Sequence, residues 1–258
     1  MNAAEYLEDM RAGREIKKNN TVGLSGECSD EIFGGYPWFY RPEMLYSDFF
    51  PWIHAPKLRP SLFKGLNCDT GYDFIRQIYK DTLKACPVLP EDSDKMKLSR
   101  QASYLSVNYF MTSLLQRKDR MSMASGVEIR VPFADHRIFD FVYNVPWEIK
   151  FENGVEKSLL RNSMRGYLPD KILFRKKSPY PKTHNPHYRR AVSLLLQQVI
   201  DDPHSRVLEI VRKDALQALI DEEKSQPWYG QLMTTPQTIA YFLQLNYWLE
   251  KYNIEISE

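Results

Sequence analysis

Three carboxylates, Glu27, Asp30 and Glu31, fall in one short stretch that opens on Leu24-Ser25-Gly26 and closes on Gly34-Gly35-Tyr36. Acidic side chains this close repel one another. A folded chain tolerates that on a solvated surface, or where a cation or a basic ligand gathers them. Thr21-Val22-Gly23-Leu24 just before is apolar and β-branched, the pattern of a short buried strand, and Ser25-Gly26 ends it. Gly34-Gly35 permits backbone conformations closed to other residues, or the close approach of a ligand. A strand that feeds a small-residue turn and then a helix is where α/β proteins bind ligands, beyond the carboxyl ends of their strands. The plain alternative is a solvated acidic first turn, since Asp and Glu suit helix N-termini.

Three further stretches could do chemistry. Arg117, Lys118 and Arg120 flank Asp119. This is either an exposed helix C-terminus whose cations suit the dipole or an Asp held by basic partners inside a cleft. Val127-Glu128-Ile129-Arg130-Val131 alternates apolar and charged residues before Pro132, as a half-buried extended segment does, with Glu128 and Arg130 on one face. Residues 175–190 then carry six Lys or Arg and no acid. That composition fits a solvated basic loop, a nucleic-acid patch, or cations that hold a polyphosphate such as a leaving pyrophosphate. Net charge is only +2 and no aromatic-interleaved basic face runs along a helix, so phosphate groups are favoured over nucleic acid.

The elements that must position these residues are mostly helical. The 258 residues are 43% hydrophobic and 26% charged, ordinary globular composition with enough length for a sizeable core. Helices are expected over 3–19, 70–86, 93–117, 135–145, 157–164, 188–200, 205–224 and 236–252. In the 93–117 helix, Leu98, Ala102, Leu105, Tyr109 and one of Met111 or Leu114 share a face. Residues 36–62, rich in proline and aromatics, predict short helical turns and a packed loop. No apolar run reaches the roughly 18 residues that a membrane span needs. The polar first residues hold no signal-peptide core. Three cysteines without a Cys-x-x-Cys pair fit reduced thiols in the cytoplasm.

Leu24-Ser25-Gly26-Glu27-x-x-Asp30-Glu31-x-Phe33-Gly34-Gly35-Tyr36 resembles the signature of the asparagine synthetase family, in its C-terminal synthetase domain. The resemblance continues through Leu115–Met123, Gly126–Phe133 and Arg175–Lys177, and covers the chain from about Arg14 to about Tyr188. It implies a mainly α structure with one or two strands, the C-terminal helical portion of the α/β adenine-nucleotide α-hydrolase-like (ATP-pyrophosphatase) fold. The family's phosphate-gripping Ser-Gly-Gly-x-Asp-Ser loop and its glutaminase domain lie upstream of the Leu-Ser-Gly-Glu strand. Residues 1–258 are therefore expected to be the C-terminal fragment of a synthetase domain. The implied reaction adenylates the side chain of aspartate with ATP and Mg²⁺, and ammonia from glutamine then attacks aspartyl-AMP to give asparagine. Carried over by motif, Leu24, Ser25 and Gly26 contact the nucleotide. Glu27 supports adenylation and ammonia attack, and Lys177 holds the departing phosphates. Asp30 lies by magnesium or the aspartate amine, and Asp119, Glu128 and Arg130 border the substrate. Cys28-Ser29 departs from the Gly-Ala common at that place. Relatives that adenylate other carboxylates, β-lactam-forming enzymes among them, usually differ where Glu27 stands. A non-catalytic assembly fragment is the remaining alternative. An apolar strand without neighbours invites pairing, so a homodimer or other self-association is expected.

Overall fold

In a computed structural model the chain is mostly helical, with two short parallel strands. The structure describes residues 3–58, 60–176, 186–222 and 233–256. It separates into two units, one of Tyr6–Pro51 and Tyr79–Ser178, the other of Met1–Glu5, Trp52–Ile78 and Pro179–Glu258.

The first unit carries the acidic motif. Helix α1 (Ala3–Lys17) is built from good helix formers, and the N–H groups of Asn19 and Asn20 close it on the Ile16 carbonyl. Strand β1 (Val22–Leu24) leads to α2 (Ser29–Phe33) and α3 (Pro42–Leu45). The C-terminal residues of α4 (Cys68–Ala85), from Tyr79 on, also belong here. Helix α5 (Asp94–Leu105) starts where Ser93 Oγ accepts from Met96 N at 3.2 Å, and α6 (Thr112–Met123) continues it. Strand β2 (Glu128–Arg130) pairs in parallel with β1, in the register Val22 to Glu128 and Leu24 to Arg130. Helices α7 (His136–Tyr143), α8 (Trp147–Lys150), α9 (Ser158–Ser163) and α10 (Asp170–Leu173) complete the unit. Trp38 and Phe39 are buried, and Phe39 stacks on Trp147 with ring centres 5.9 Å apart. Trp38, Phe39, Phe49, Phe50 and Trp52 of the proline-rich stretch are thus packing groups, whereas Tyr46 is exposed.

Two expectations change in this unit. β1 is not a buried strand: Val22 is 39% and Leu24 77% exposed. Paired residues of parallel strands point the same way, so Val22, Leu24, Glu128 and Arg130 share one exposed face. The opposite face is tight, because a Cβ on Gly23 would lie 2.8 Å from Ile129 and 3.6 Å from Ile16. Among the described residues the sheet has only these two strands, which leaves the first face uncovered. The helix expected over 93–117 also runs on to Met123, through a π-helical turn at Ser106–Met111. A π turn adds one residue, so everything after it rotates by about 100° relative to a continuous α-helix. Tyr109 consequently leaves the Leu98–Ala102–Leu105 face and is exposed, while Phe110 packs on Tyr36 and Trp38.

The second unit is a helical cluster of α11 (Pro186–Asp201), α12 (Val207–Ile210), α13 (Lys213–Asp221) and α14 (Thr235–Lys251). Its core includes Leu62, Leu196, Ile200, Val207, Leu216, Ile239 and Phe242. The expected 205–224 helix divides, because Val211 bridges Phe63 and Arg212 N donates to the Leu62 carbonyl at 2.9 Å. No helix among the described residues is long and apolar enough to cross a membrane.

One buried charge in the first unit sets up a test. Lys150 is 1% exposed, and its Nζ donates to the Val142 carbonyl at 3.1 Å. No carboxylate lies within ion-pair distance of it among the described residues. Burial, with Arg100 nearby, lowers its pKa from 10.5 to about 8. The folded state therefore disfavours the charged amine. Between about pH 8 and 10.5 the unfolded chain binds the proton that the folded chain releases, so stability rises with pH there. Below pH 8 the penalty is complete. Lys150→Met should stabilise the chain by about 1–3 kcal/mol at pH 7, after the lost hydrogen bond is subtracted. The gain should shrink towards pH 10.5, and urea unfolding of both proteins across that range checks it.

Candidate active site

The site is built where β1 ends. Ser25 N donates to the Arg130 carbonyl at 2.9 Å, which carries the strand pairing one residue further. Ser25 Oγ then accepts from Glu27 N at 3.3 Å and closes the turn. Cys28 stands at φ 70°, a left-handed conformation that costs a side chain about 1–2 kcal/mol and that glycine adopts freely. Small residues at this point of the motif thus have a backbone reason. The Cys28 thiol is buried, and burial first, then Glu31 and Glu27, push it up to about 12. It stays a neutral thiol and is no nucleophile.

Helix α2 turns its acids inward. Glu31 is 1% exposed and accepts from Tyr36 Oη at 2.8 Å. The Tyr36 ring stacks on Trp38 with centres 4.2 Å apart and meets Phe110 of the π turn edge-on at 5.2 Å. Burial, and then the Glu31 charge, raise the Tyr36 phenol far above its usual range, so it remains a donor. Gly35 N donates to the Asp30 carbonyl at 2.8 Å, and a Cβ on Gly35 would lie 1.9 Å from Asp30 Oδ1. Only glycine fits there without displacing the Asp30 carboxylate.

Cations arrive from α6 and from the residue that precedes α9. Arg117 Nη2 and Lys118 Nζ of α6 lie 3.4 and 3.3 Å from Glu27 Oε1. The same two groups hold Asp9 of α1, with Arg117 Nε at 2.9 Å and Lys118 Nζ at 2.5 Å. Lys157, just before α9, pairs with Asp30 at 2.7 Å. One turn later Arg161 binds the Glu156 carboxylate and the carbonyls of Leu173 and Arg175, which fixes the root of the basic stretch. The arrangement therefore gathers Asp9, Glu27, Asp30 and Glu31 with Arg117, Lys118 and Lys157. Glu27 Oε2 is buried and has no hydrogen-bond partner among the described residues. A carboxylate so placed can accept a proton from a group brought to the strand end. The open side of the turn is Gly26, where a Cβ would meet nothing within 4 Å.

The asparagine synthase family model matches residues 7–250 of this sequence. The chain belongs to the asparagine synthase family. It is 45% identical over 253 residues to asparagine synthetase [glutamine-hydrolyzing] 3 of Bacillus subtilis, covering 95% of this chain and 40% of that protein. Asparagine synthetase [glutamine-hydrolyzing] 1 of the same organism is 28% identical over 240 residues, 81% of this chain and 38% of that one. A Gallus gallus asparagine synthetase [glutamine-hydrolyzing] shares 43% over 67 residues, 25% of this chain and 12% of its own. The chain thus spans about 40% of the length of the first two relatives.

The structure brings Ser25, Gly26, Glu27 and Asp30 together at the strand end. Leu24 lies beside them with an exposed side chain. Glu128 and Arg130 pair with each other at 2.7 Å on the exposed sheet face, and it is the Arg130 carbonyl that reaches Ser25. Asp119 is exposed and makes no ion pair among the described residues, because its neighbours Arg117 and Lys118 turn to Asp9 and Glu27. Lys177 lies outside the described residues. Sequence reasoning missed Asp9 altogether. For Lys157 and Arg161 the signal in the sequence is their four-residue spacing, which with Arg165 puts three cations on one helix face. A cavity of about 330 Å³ elsewhere in the unit, bordered by Arg100 and Tyr104, offers no comparable chemistry. Its Arg100 is committed to Asp92 at 2.8 Å and to Asn144 at 3.0 Å.

Gly35 and Gly26 make a paired test of this geometry. Gly35→Ala must drive the Asp30 carboxylate off Lys157 and should destabilise by about 1–3 kcal/mol, the usual cost of overpacking. Gly26→Ala, with open space beside it, should change stability by less than about 0.5 kcal/mol. Urea midpoints of the two variants read the difference, and equal losses would mean that the Asp30–Lys157 contact is not tight.

Proposed function

We propose that this chain is the C-terminal part of a synthetase domain that makes asparagine from aspartate, ATP and ammonia. In the longer protein the ammonia would come from glutamine. The observation that carries this reading is Glu27: an acid at the carboxyl end of a strand, with one oxygen on two cations and the other without a hydrogen-bond partner among the described residues. The family membership and the names of the relatives support the same direction. The two parallel strands and surrounding helices suit a portion of an adenine-nucleotide α-hydrolase-like fold. A working site in the cytoplasm accords with buried free thiols at Cys28 and Cys86.

The residues divide the work by charge. Ser25 and Gly26 border the nucleotide, with the exposed Leu24 side chain beside them. The aspartate carboxylate attacks the α-phosphorus of ATP, pyrophosphate leaves, and the acyl-adenylate forms. Ammonia then attacks the acyl carbon and AMP departs, and the surplus proton of the attacking nitrogen goes to Glu27 Oε2. Lys157 and Lys177 offset the charge on the leaving phosphates. Glu128, Arg130 and the exposed Asp119 belong to the substrate border. Magnesium shields phosphate charge when bound. The described residues hold no cluster of three metal-binding side chains. Magnesium needs only one or two carboxylates once phosphate oxygens and waters complete its ligands, so Asp30 fits an ion that arrives with ATP.

The deciding experiment is ATP–pyrophosphate exchange and asparagine formation on the longer protein. Glu27→Gln should leave ATP binding intact and cut synthesis by about 10²–10⁴-fold. Lys177→Ala should raise the barrier by about 3–4 kcal/mol, and Lys177→Arg should rescue it only in part, because a planar fork does not replace a point charge. Glutamine hydrolysis should survive in all three. Unchanged synthesis in Glu27→Gln would leave that acid as a helix-start residue.

A further inference from the structure

Asp9 stands outside the motif, yet it faces the same two cations as Glu27. It is 7% exposed. Its oxygens take the shorter contacts, 2.9 Å to Arg117 and 2.5 Å to Lys118, against 3.4 and 3.3 Å for Glu27 Oε1. Attraction falls with distance and is strong where water is scarce, so the cations are drawn towards α1. Among the described residues the two carboxylates Asp9 and Glu27 both face these two cations, and close partners of opposite sign are what let buried charges be tolerated. The neighbouring charges are committed elsewhere. Asp30 pairs with Lys157, Glu31 accepts from Tyr36, and Cys28 stays a neutral thiol. Glu27 meets the two cations through Oε1, and its buried Oε2 has no hydrogen-bond partner among the described residues. An unsatisfied buried oxygen is costly and calls for an explanation.

We propose that Asp9 is a positioning residue, which draws Arg117 and Lys118 away from Glu27 Oε2 and so keeps that oxygen for the reacting group. The functional half of this role rests on the synthetase reading of Glu27, whereas the geometric half does not. The geometric half is tested on the 258-residue chain itself. Glutamate carrying ¹³C in the side-chain carboxylate, with the band of Glu27 assigned through Glu27→Gln, gives an infrared signature of how that carboxylate is engaged. Asp9→Asn should shift the band as both cations close on Glu27, and Asp9→Glu should return it to its original position. Should Asp9→Asn unfold the chain, Asp9→Asn with Lys118→Met keeps the charge balance. Arg117 should then turn to Glu27 and shift the band relative to Lys118→Met alone. An unmoved band in the folded variants overturns the inference. In the longer protein, Asp9→Asn should lower kcat for ammonia-dependent asparagine formation by about 10²-fold, the scale of a small misplacement. KM for ATP should stay unchanged and Asp9→Glu should restore the rate. A shifted band with an unchanged kcat overturns the role assigned to Asp9. Full synthesis in Glu27→Gln instead overturns the reading of Glu27 and leaves the Asp9 geometry standing.

Discussion

Four buried or half-buried charges, Asp9, Glu27, Arg117 and Lys118, tie the first helix, the acidic turn and the long α5–α6 rod into one structure. Removing ions from water costs several kcal/mol each, and only close, balanced partners offset that. The network therefore fixes geometry more than it adds stability. α1 must lie where Asp9 reaches α6, and α6 must present Arg117 and Lys118 to the end of β1. Any shift of one helix leaves a charge buried without its counterpart.

The π turn is what lets α6 meet that demand. Helix α5 is committed to its own face through Ala102 and Leu105, which are buried. Without the extra residue, the cations of α6 would point about 100° away. The turn is anchored by the aromatic packing beneath it. Trp38 Nε1 donates to Ser106 Oγ at 3.0 Å, and Phe110 packs on Tyr36. Tyr36 in turn donates to Glu31 of the motif. One aromatic cluster thus sets both the phase of the rod and the orientation of an acid in the turn.

Local strain concentrates at the same place. Cys28 occupies a left-handed conformation, and Gly35 leaves room for Asp30 that no other residue would. Such positions persist when the surroundings over-determine them, and here the strand pairing and the ion pairs do so. The exposed face of Val22 and Leu24 beside this turn has no cover among the described residues.

The sequence by itself determined the helical character, most helix limits set by proline or capping residues, and the acidic turn between strand and helix. Ser93 and Asp135 cap their helices as their types suggest, with Met96 N and Arg137 N as donors. The motif residues also named the family, because Ser25-Gly26-Glu27 and Gly34-Gly35 carry their chemistry locally. Only the tertiary structure decided which cation each acid meets. Arg117 reaches Glu27 across 90 residues and Lys118 reaches Asp9 across 109. Helical periodicity predicts a face but not its partner, and one inserted residue at the π turn moved Tyr109 off the expected face. Burial of the strand was likewise undecidable locally, since an apolar strand is covered only if another element packs on it. Asp119 shows the same limit: in sequence it sits among cations, but in space those cations had nearer acids to hold.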